Sequence, residues 1–283
     1  MRFENIHFAA YMTRRYTLLA WTAATCTYLL IVLGAVVRIT GSGMGCGDHW
    51  PLCNGHLFPS LGDIGTVIEW SHRLVAALVS VLVAVLAAYA WRLQHPARRI
   101  AYLAVALLVL QVLLGAITVK LELPPWTVIL HLGTAMLLLA TLLVAASPPP
   151  PGPRFFLPPG TMALLGLAFV TILLGALTAN LGAAAACTGF PLCNGQVWPA
   201  GATLVHIHWT HRLLAYALAV TATVWAVRTP GPGGRRAKVV LGLVALQVAI
   251  GAATVLLGLP PALQAAHVAL GAAVWGGVVL ALR

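Results

Sequence analysis

The sequence predicts an all-α integral membrane protein, with eight transmembrane helices arranged as two tandem, parallel-repeat four-helix bundles. Three observations predict it. The 283 residues are 61% hydrophobic and only 7% charged, whereas soluble domains carry about 25% charged residues. The apolar residues fall in eight runs near the roughly 20 residues a helix needs to cross ~30 Å of hydrocarbon. In lipid each segment must satisfy its own backbone polar groups, which makes helices the default. Finally, the chain is duplicated. Glu69-Trp70-Ser71-His72-Arg73 returns as His208-Trp209-Thr210-His211-Arg212, each after a Pro-Leu-Cys-Asn-Gly segment at 51–55 and 191–195. Gln111 to His131 returns, at the same spacing, as Gln247 to His267.

The eight runs read in order as follows. The first, about 17–37, follows Arg14-Arg15 and stops at Arg38. The second, about 69–91, opens on the Glu-x-x-His-Arg motif and ends at Arg92. The third, about 100–119, lies between Arg98-Arg99 and Lys120, and the tight turn Leu123-Pro124-Pro125 leads into the fourth, about 127–146. Ser147-Pro148-Pro149-Pro150-Pro151-Gly152-Pro153-Arg154 then breaks the helical pattern, because proline lacks the N–H and favours extended geometry. The fifth run, about 161–179, starts the second half. The sixth, about 207–227, carries the His-x-x-His-Arg copy. The seventh, about 239–257, follows Arg235, Arg236 and Lys238, and Leu259-Pro260-Pro261 turns into the eighth, about 262–282. Four spans per half is an even number, so both halves cross in the same sense, as parallel repeats do. The expected units are 1–147, an N-terminal bundle; 148–160, an inner Pro-rich linker; and 161–283, a C-terminal bundle.

The net charge of +11 is an orientation signal. With the N-terminus inside, all but four of the 16 basic residues (Arg38, Arg73, Lys120 and Arg212) lie on inner segments. That is the positive-inside asymmetry, and it gives the basic surface anionic lipid rather than nucleic acid as its partner. No cleavable signal is expected, since the first sixteen residues lack an apolar h-region.

Cys46/Cys53 and Cys187/Cys193 fall in the two long outer loops, which face a compartment where disulfides persist. Their spacing is not a zinc spacing. Two intraloop disulfides are expected, with free thiols as the alternative. Cys26 reads as a small buried hydrophobe.

Four of the 10 histidines carry the functional argument: His72, His131, His211 and His267. Each sits near the outer end of a span running outside to inside, so at 1.5 Å per residue all four lie near one level. Each half thus offers two imidazoles on parallel helices. A flat macrocycle between such helices takes one axial nitrogen from each, and histidine is a standard axial ligand of heme iron. Arg73 and Arg212 stand near the mouth for propionates. A lone intramembrane histidine can be a packing residue, but ionisable groups in spans are functional by default. Gln111 and Gln247 read as interhelical hydrogen-bonders. Gly115, Gly133, Gly251 and Gly271 serve close packing or clear space for a flat ligand. Glu69, one turn before His72 on the same face, is replaced by His208 in the copy. It is either a functional carboxylate or simply a group at the mouth that pairs with Arg73 or is hydrated. Two glutamates near the spans are too few for a di-iron bundle.

Taken together, Arg38-Ile39-Thr40-Gly41-Ser42-Gly43-Met44-Gly45-Cys46, Trp50-Pro51-Leu52-Cys53-Asn54-Gly55 and Glu69-x-x-His72-Arg73 resemble the heme A synthase family, and the resemblance covers nearly the whole chain. It implies oxidation of the C8 methyl of heme O to a formyl group, giving heme A. It implies a resident heme b held by His211 and His267 in the C-terminal half. His72 and His131 then serve the substrate half, Glu69 takes part in the chemistry, and Cys46–Cys53 forms a disulfide. Expected partners are heme O and heme A, membrane lipid, heme O synthase and oxidase assembly factors, and an unidentified electron acceptor. The expected location is a prokaryotic plasma membrane with both termini cytoplasmic and the heme sites near the outer face. The alternative is a diheme b-type electron carrier or quinone oxidoreductase subunit, which four histidines at one depth would serve equally well. The Glu69/His208 asymmetry is a feature a pure carrier does not need.

Overall fold

The computed structural model describes residues 2–147 and 159–282. Among these residues eight α-helices make up the body: α1 (Arg2–Ile39), α2 (Ile64–Arg92), α3 (Arg98–Lys120), α4 (Pro125–Ala146), α5 (Pro159–Asn180), α6 (Thr203–Arg228), α7 (Gly231–Leu256) and α8 (Pro261–Ala281). Only isolated bridges, and no strands, occur among the described residues. Of the expected linker 148–160, only Pro159 and Gly160 are described, and they open α5. Arg154, Arg283 and the side chain of His7 lie outside the described residues.

Among the described residues, seven helices are long and apolar enough to cross a membrane. The exception, α6, has 26 residues, so length is not its deficit. Its first ten residues carry His206, His208, His211 and Arg212, which lower the hydropathy of that stretch. Several helices begin before their apolar runs. α2 starts at Ile64 rather than about 69, because Asp63 caps it: Thr66 donates to Asp63 Oδ2 through its backbone N–H (2.6 Å) and its hydroxyl (2.8 Å). These hydrogen bonds hold the Asp63 carboxyl below the usual carboxylate range. α4 and α8 each begin on a proline, where the missing N–H costs nothing.

Helix α1 packs on α2 and α4, and α3 packs on α2 and α4, closing a ring of four; α5 to α8 close a second ring in the same order. α8 meets α1 and α4, and α4 meets α5, which joins the rings. At that junction Trp275 Nε1 donates to Met136 O at 2.7 Å and the Tyr28 hydroxyl to Ala269 O at 3.1 Å. Phe169 packs on Trp275 with ring centroids 5.4 Å apart.

The two long loops leave the same end of the molecule, here called the loop face. Each contains a disulfide, Cys46–Cys53 and Cys187–Cys193, so the thiol alternative is set aside. Each ends in a Cys-Asn-Gly-x hairpin. Asn54 and Gly55 have φ of 50° and 79°, and Asn194 and Gly195 have 53° and 75°. Both central residues thus have the positive φ that a type I′ turn requires and Asn-Gly favours. Reciprocal backbone bonds close the first hairpin between Cys53 and His56, both at 2.9 Å.

Candidate functional site

The four histidines enter the molecule at matched heights. His72 and His211 each stand eight residues past the first residue of their helices (Ile64, Thr203), and His131 and His267 each stand six past theirs (Pro125, Pro261). At 1.5 Å per residue these are depths of about 12 Å and about 9 Å. That is deeper than the apolar runs implied, since the helices start earlier.

A glycine on the preceding helix seats each imidazole. A Cβ on Gly34 of α1 would lie 3.3 Å from His72 Nε2, and one on Gly115 of α3 would lie 3.1 Å from His131 Cε1. A Cβ on Gly175 of α5 or Gly251 of α7 would come to 2.8 Å from Cε1 of His211 or His267. All four glycines stand five residues before the end of their helix. Any side chain there would push the ring away. Gly115 and Gly251 were legible from their duplicated position. Gly34 and Gly175 were not singled out, although their shared distance from the loop face was the available signal. Gly133 and Gly271 face Leu173 and Gln247 instead.

His72 on α2 and His131 on α4 stand on opposite helices of the first ring, and His211 on α6 and His267 on α8 on opposite helices of the second. All four line one continuous cavity of about 1020 Å³, to which all eight helices contribute. On the α4 and α8 side, Gln111 Nε2 donates to His131 Nε2 at 3.1 Å and Gln247 Nε2 to His267 Nε2 at 3.4 Å. The Nδ1 atoms of His131 and His267 are buried with no partner among the described residues. The other two histidines differ. His211 Nδ1 donates to Thr171 O at 3.2 Å, which fixes the tautomer with the Nε2 lone pair free. No hydrogen bond of the His72 ring occurs among the described residues.

Glu69 and His208 occupy equivalent places and are buried, 3% and 5% exposed. Glu69 Oε2 accepts the Cys46 N–H at 2.7 Å. Its Oε1 accepts Arg73 Nε at 3.1 Å and Arg73 Nη2. In the copy, Arg212 Nε donates to His208 Nε2 at 3.2 Å, and His208 Nδ1 donates to Ala183 O at 3.0 Å. The imidazole replaces the carboxylate as the arginine's partner but leaves the guanidinium charge uncompensated.

The arginines do something other than wait for propionates. Arg73 Nη1 donates to His49 O at 3.0 Å and to Leu52 O. Arg212 Nη1 donates to Gly189 O (2.9 Å) and Leu192 O (2.8 Å), and its Nη2 to Cys187 O (2.7 Å). Each arginine therefore uses four of its five guanidinium donors: Arg73 gives two to loop carbonyls and two to Glu69, and Arg212 gives three to loop carbonyls and one to His208, so each ties its disulfide loop to its helix.

The donor set suits a flat, metal-bearing macrocycle. Among the described residues no group of three or more His, Cys, Asp or Glu gathers, so the imidazole pairs could serve only a metal that carries its other ligands with it. Two imidazoles per half, glycine seats and unpartnered buried nitrogens fit such a ligand between paired helices. Trp70 Nε1 donates to Leu57 O at 3.1 Å, and Trp209 packs beside the Cys187–Cys193 disulfide. Both tryptophans thus serve the loops.

Comparison with known proteins follows from the same residues. A family profile named COX15-CtaA, described as cytochrome oxidase assembly protein, matches residues 17–65 and 62–279. The chain is 36% identical over 278 residues to the heme A synthase of Symbiobacterium thermophilum, covering 90% of each. It is 35% identical over 212 residues to that of Alkalihalophilus pseudofirmus, covering 70% of this chain and 71% of the relative. With the heme A synthase of Shouchella clausii the identity is 36% over 218 residues, 71% and 72% of the two chains.

Proposed function

We propose, because the chain belongs to the COX15-CtaA family of cytochrome oxidase assembly proteins and its relatives are heme A synthases, that it oxidises the C8 methyl of heme O to the formyl group of heme A. The observation that carries the reading is a single cavity lined by two imidazole pairs, with a carboxylate beside only one of them. The first half, residues 1–147, takes heme O between His72 and His131. The second, 161–283, holds heme b between His211 and His267. The enzyme sits in the plasma membrane of a prokaryote, with the termini cytoplasmic and the loop face outside.

Heme b, when bound, supplies an iron able to accept and pass on electrons. The chain's own residues do the rest. His211, its tautomer set by the Thr171 carbonyl, presents a ready Nε2 for retention. His72, with no such tether, suits a ligand that must arrive and leave. Two successive two-electron oxidations, each adding the oxygen of one water and releasing two protons, take the substrate methyl to a hydroxymethyl and then to a hydrated aldehyde that loses water, and the four electrons leave for the external acceptor. Glu69, clamped by Arg73 and the Cys46 N–H, holds a fixed negative charge beside the first pair. It can stabilise positive charge developing on the methyl carbon. One acceptor site on Oε2 remains to take a proton. The apolar walls exclude water and raise the worth of that charge.

The test is conversion of supplied heme O by the purified protein, read by pigment extraction and mass spectrometry. Formation of heme A supports the proposal. Two permanently bound hemes with an unaltered macrocycle would instead establish the diheme carrier.

A further inference from the structure

The guanidinium of Arg38 has the weakest set of protein partners of the three that line the cavity. It stands in the last turn of α1, half-buried. Among the described residues it makes one contact, Nη2 to Gln264 Oε1 at 3.5 Å, and it takes part in none of the ion pairs found there. Arg73 and Arg212, by contrast, are committed to their loops. A cation withdrawn from bulk water without a counter-ion is costly and seldom kept without a use.

Its place defines that use. Arg38 lies four residues beyond Gly34, hence on the same face of α1 and about 6 Å nearer the loop face. Gly34 is the seat of His72. Gln264, its one partner, lies three residues before His267 on α8. Arg38 therefore stands over the first imidazole pair and leans toward the second half. At the equivalent place in the second half, four residues beyond Gly175, stands Ala179. The one cavity arginine not committed to a loop and the cavity's one carboxylate, Glu69, thus mark the same half.

We infer that Arg38 recognises a carboxylate side chain of the macrocycle in the first half, engaging a heme propionate through its planar fork of donors. This assignment rests on the heme reading proposed above and deepens it. It orients the ligand with its propionate edge toward the loop face. Arg38 is a binding and positioning residue, acting on the acid groups rather than on the methyl.

Hemin and hemin dimethyl ester separate the possibilities, because the ester keeps the ring and iron and removes the charge. The purified protein, with whatever pigment it retains, is titrated with each and followed by visible absorption. Wild type is expected to bind the free acid at least about tenfold more tightly, the scale of a charge-assisted hydrogen bond. Arg38→Gln should lose most of that preference while still taking up the ester. Arg38→Lys, which keeps the charge without the fork, should retain part of it and serves if Arg38→Gln does not fold. The same acid preference in Arg38→Gln as in wild type overturns the assignment alone, as does a wild type that does not discriminate. A wild type that binds neither compound overturns the heme reading of the first half together with it.

Discussion

At the scale of single residues, the account turns on what each imidazole and carboxylate touches. Gly175 would place a Cβ 2.8 Å from His211 Cε1, whereas Gly166 on the same helix faces open space. Gly175→Ala should therefore lower retained heme or shift its absorption, and Gly166→Ala should do neither; visible spectra of the two purified variants decide. Glu69→Gln keeps the shape of the side chain and removes its charge. It should leave the heme content intact and block formyl formation, and normal heme A accumulation in that variant would remove Glu69 from the chemistry. Much of this was legible in the sequence, because duplication marked His72, His131, His211, His267 and the Glu69/His208 exchange. What the residues could not reveal was their partners. Nothing in the chain says that Thr171 offers its carbonyl to His211, that Arg73 and Arg212 donate to loop carbonyls, or that Gly34 and Gly175 are seats. Those facts depend on helix rotation, which periodicity leaves loose in uniformly apolar spans.

At the scale of elements, the disulfide loops are coupled to the site through one amide and two arginines. Cys46 is both a disulfide partner and the donor to Glu69. Paired replacement of Cys46 and Cys53 by serine should cut heme O conversion more than it cuts retained heme. The same change at Cys187 and Cys193 should mainly lower retained heme, and pigment analysis of both variants checks the contrast. At the other end, His95 joins α2 to α3. It stacks on Tyr16 at 3.9 Å and accepts the Ala97 N–H at 3.1 Å through Nδ1. Burial holds this imidazole below its ordinary value, so the unfolded chain takes the proton more readily. The stability it contributes is complete above about pH 6.5 and falls as pH drops below that value. Thermal melts of wild type should soften on acidification through that range more than those of His95→Phe, which stacks but cannot titrate. Element positions were largely readable; element starts were not. α2 begins at Ile64 because Asp63 caps it, and α6 carries polar residues that hydropathy discounts.

At the scale of the whole molecule, two rings of four helices enclose one cavity, and the junction is pinned by Trp275 and Tyr28. The duplication anticipated that each half would bring its own imidazoles together. It did not reveal that one cavity is lined from both halves. The central claim is the proposed division of labour, in which the pair whose His211 is anchored through Thr171 is to retain a heme and the pair containing the untethered His72 is to exchange one. The most direct measurement compares heme retained after purification in His211→Ala and in His72→Ala. The account predicts that His211→Ala loses the resident heme b, while His72→Ala keeps it and loses only heme A formation. Equal loss of heme in both variants, or retention in His211→Ala with loss in His72→Ala, would contradict it.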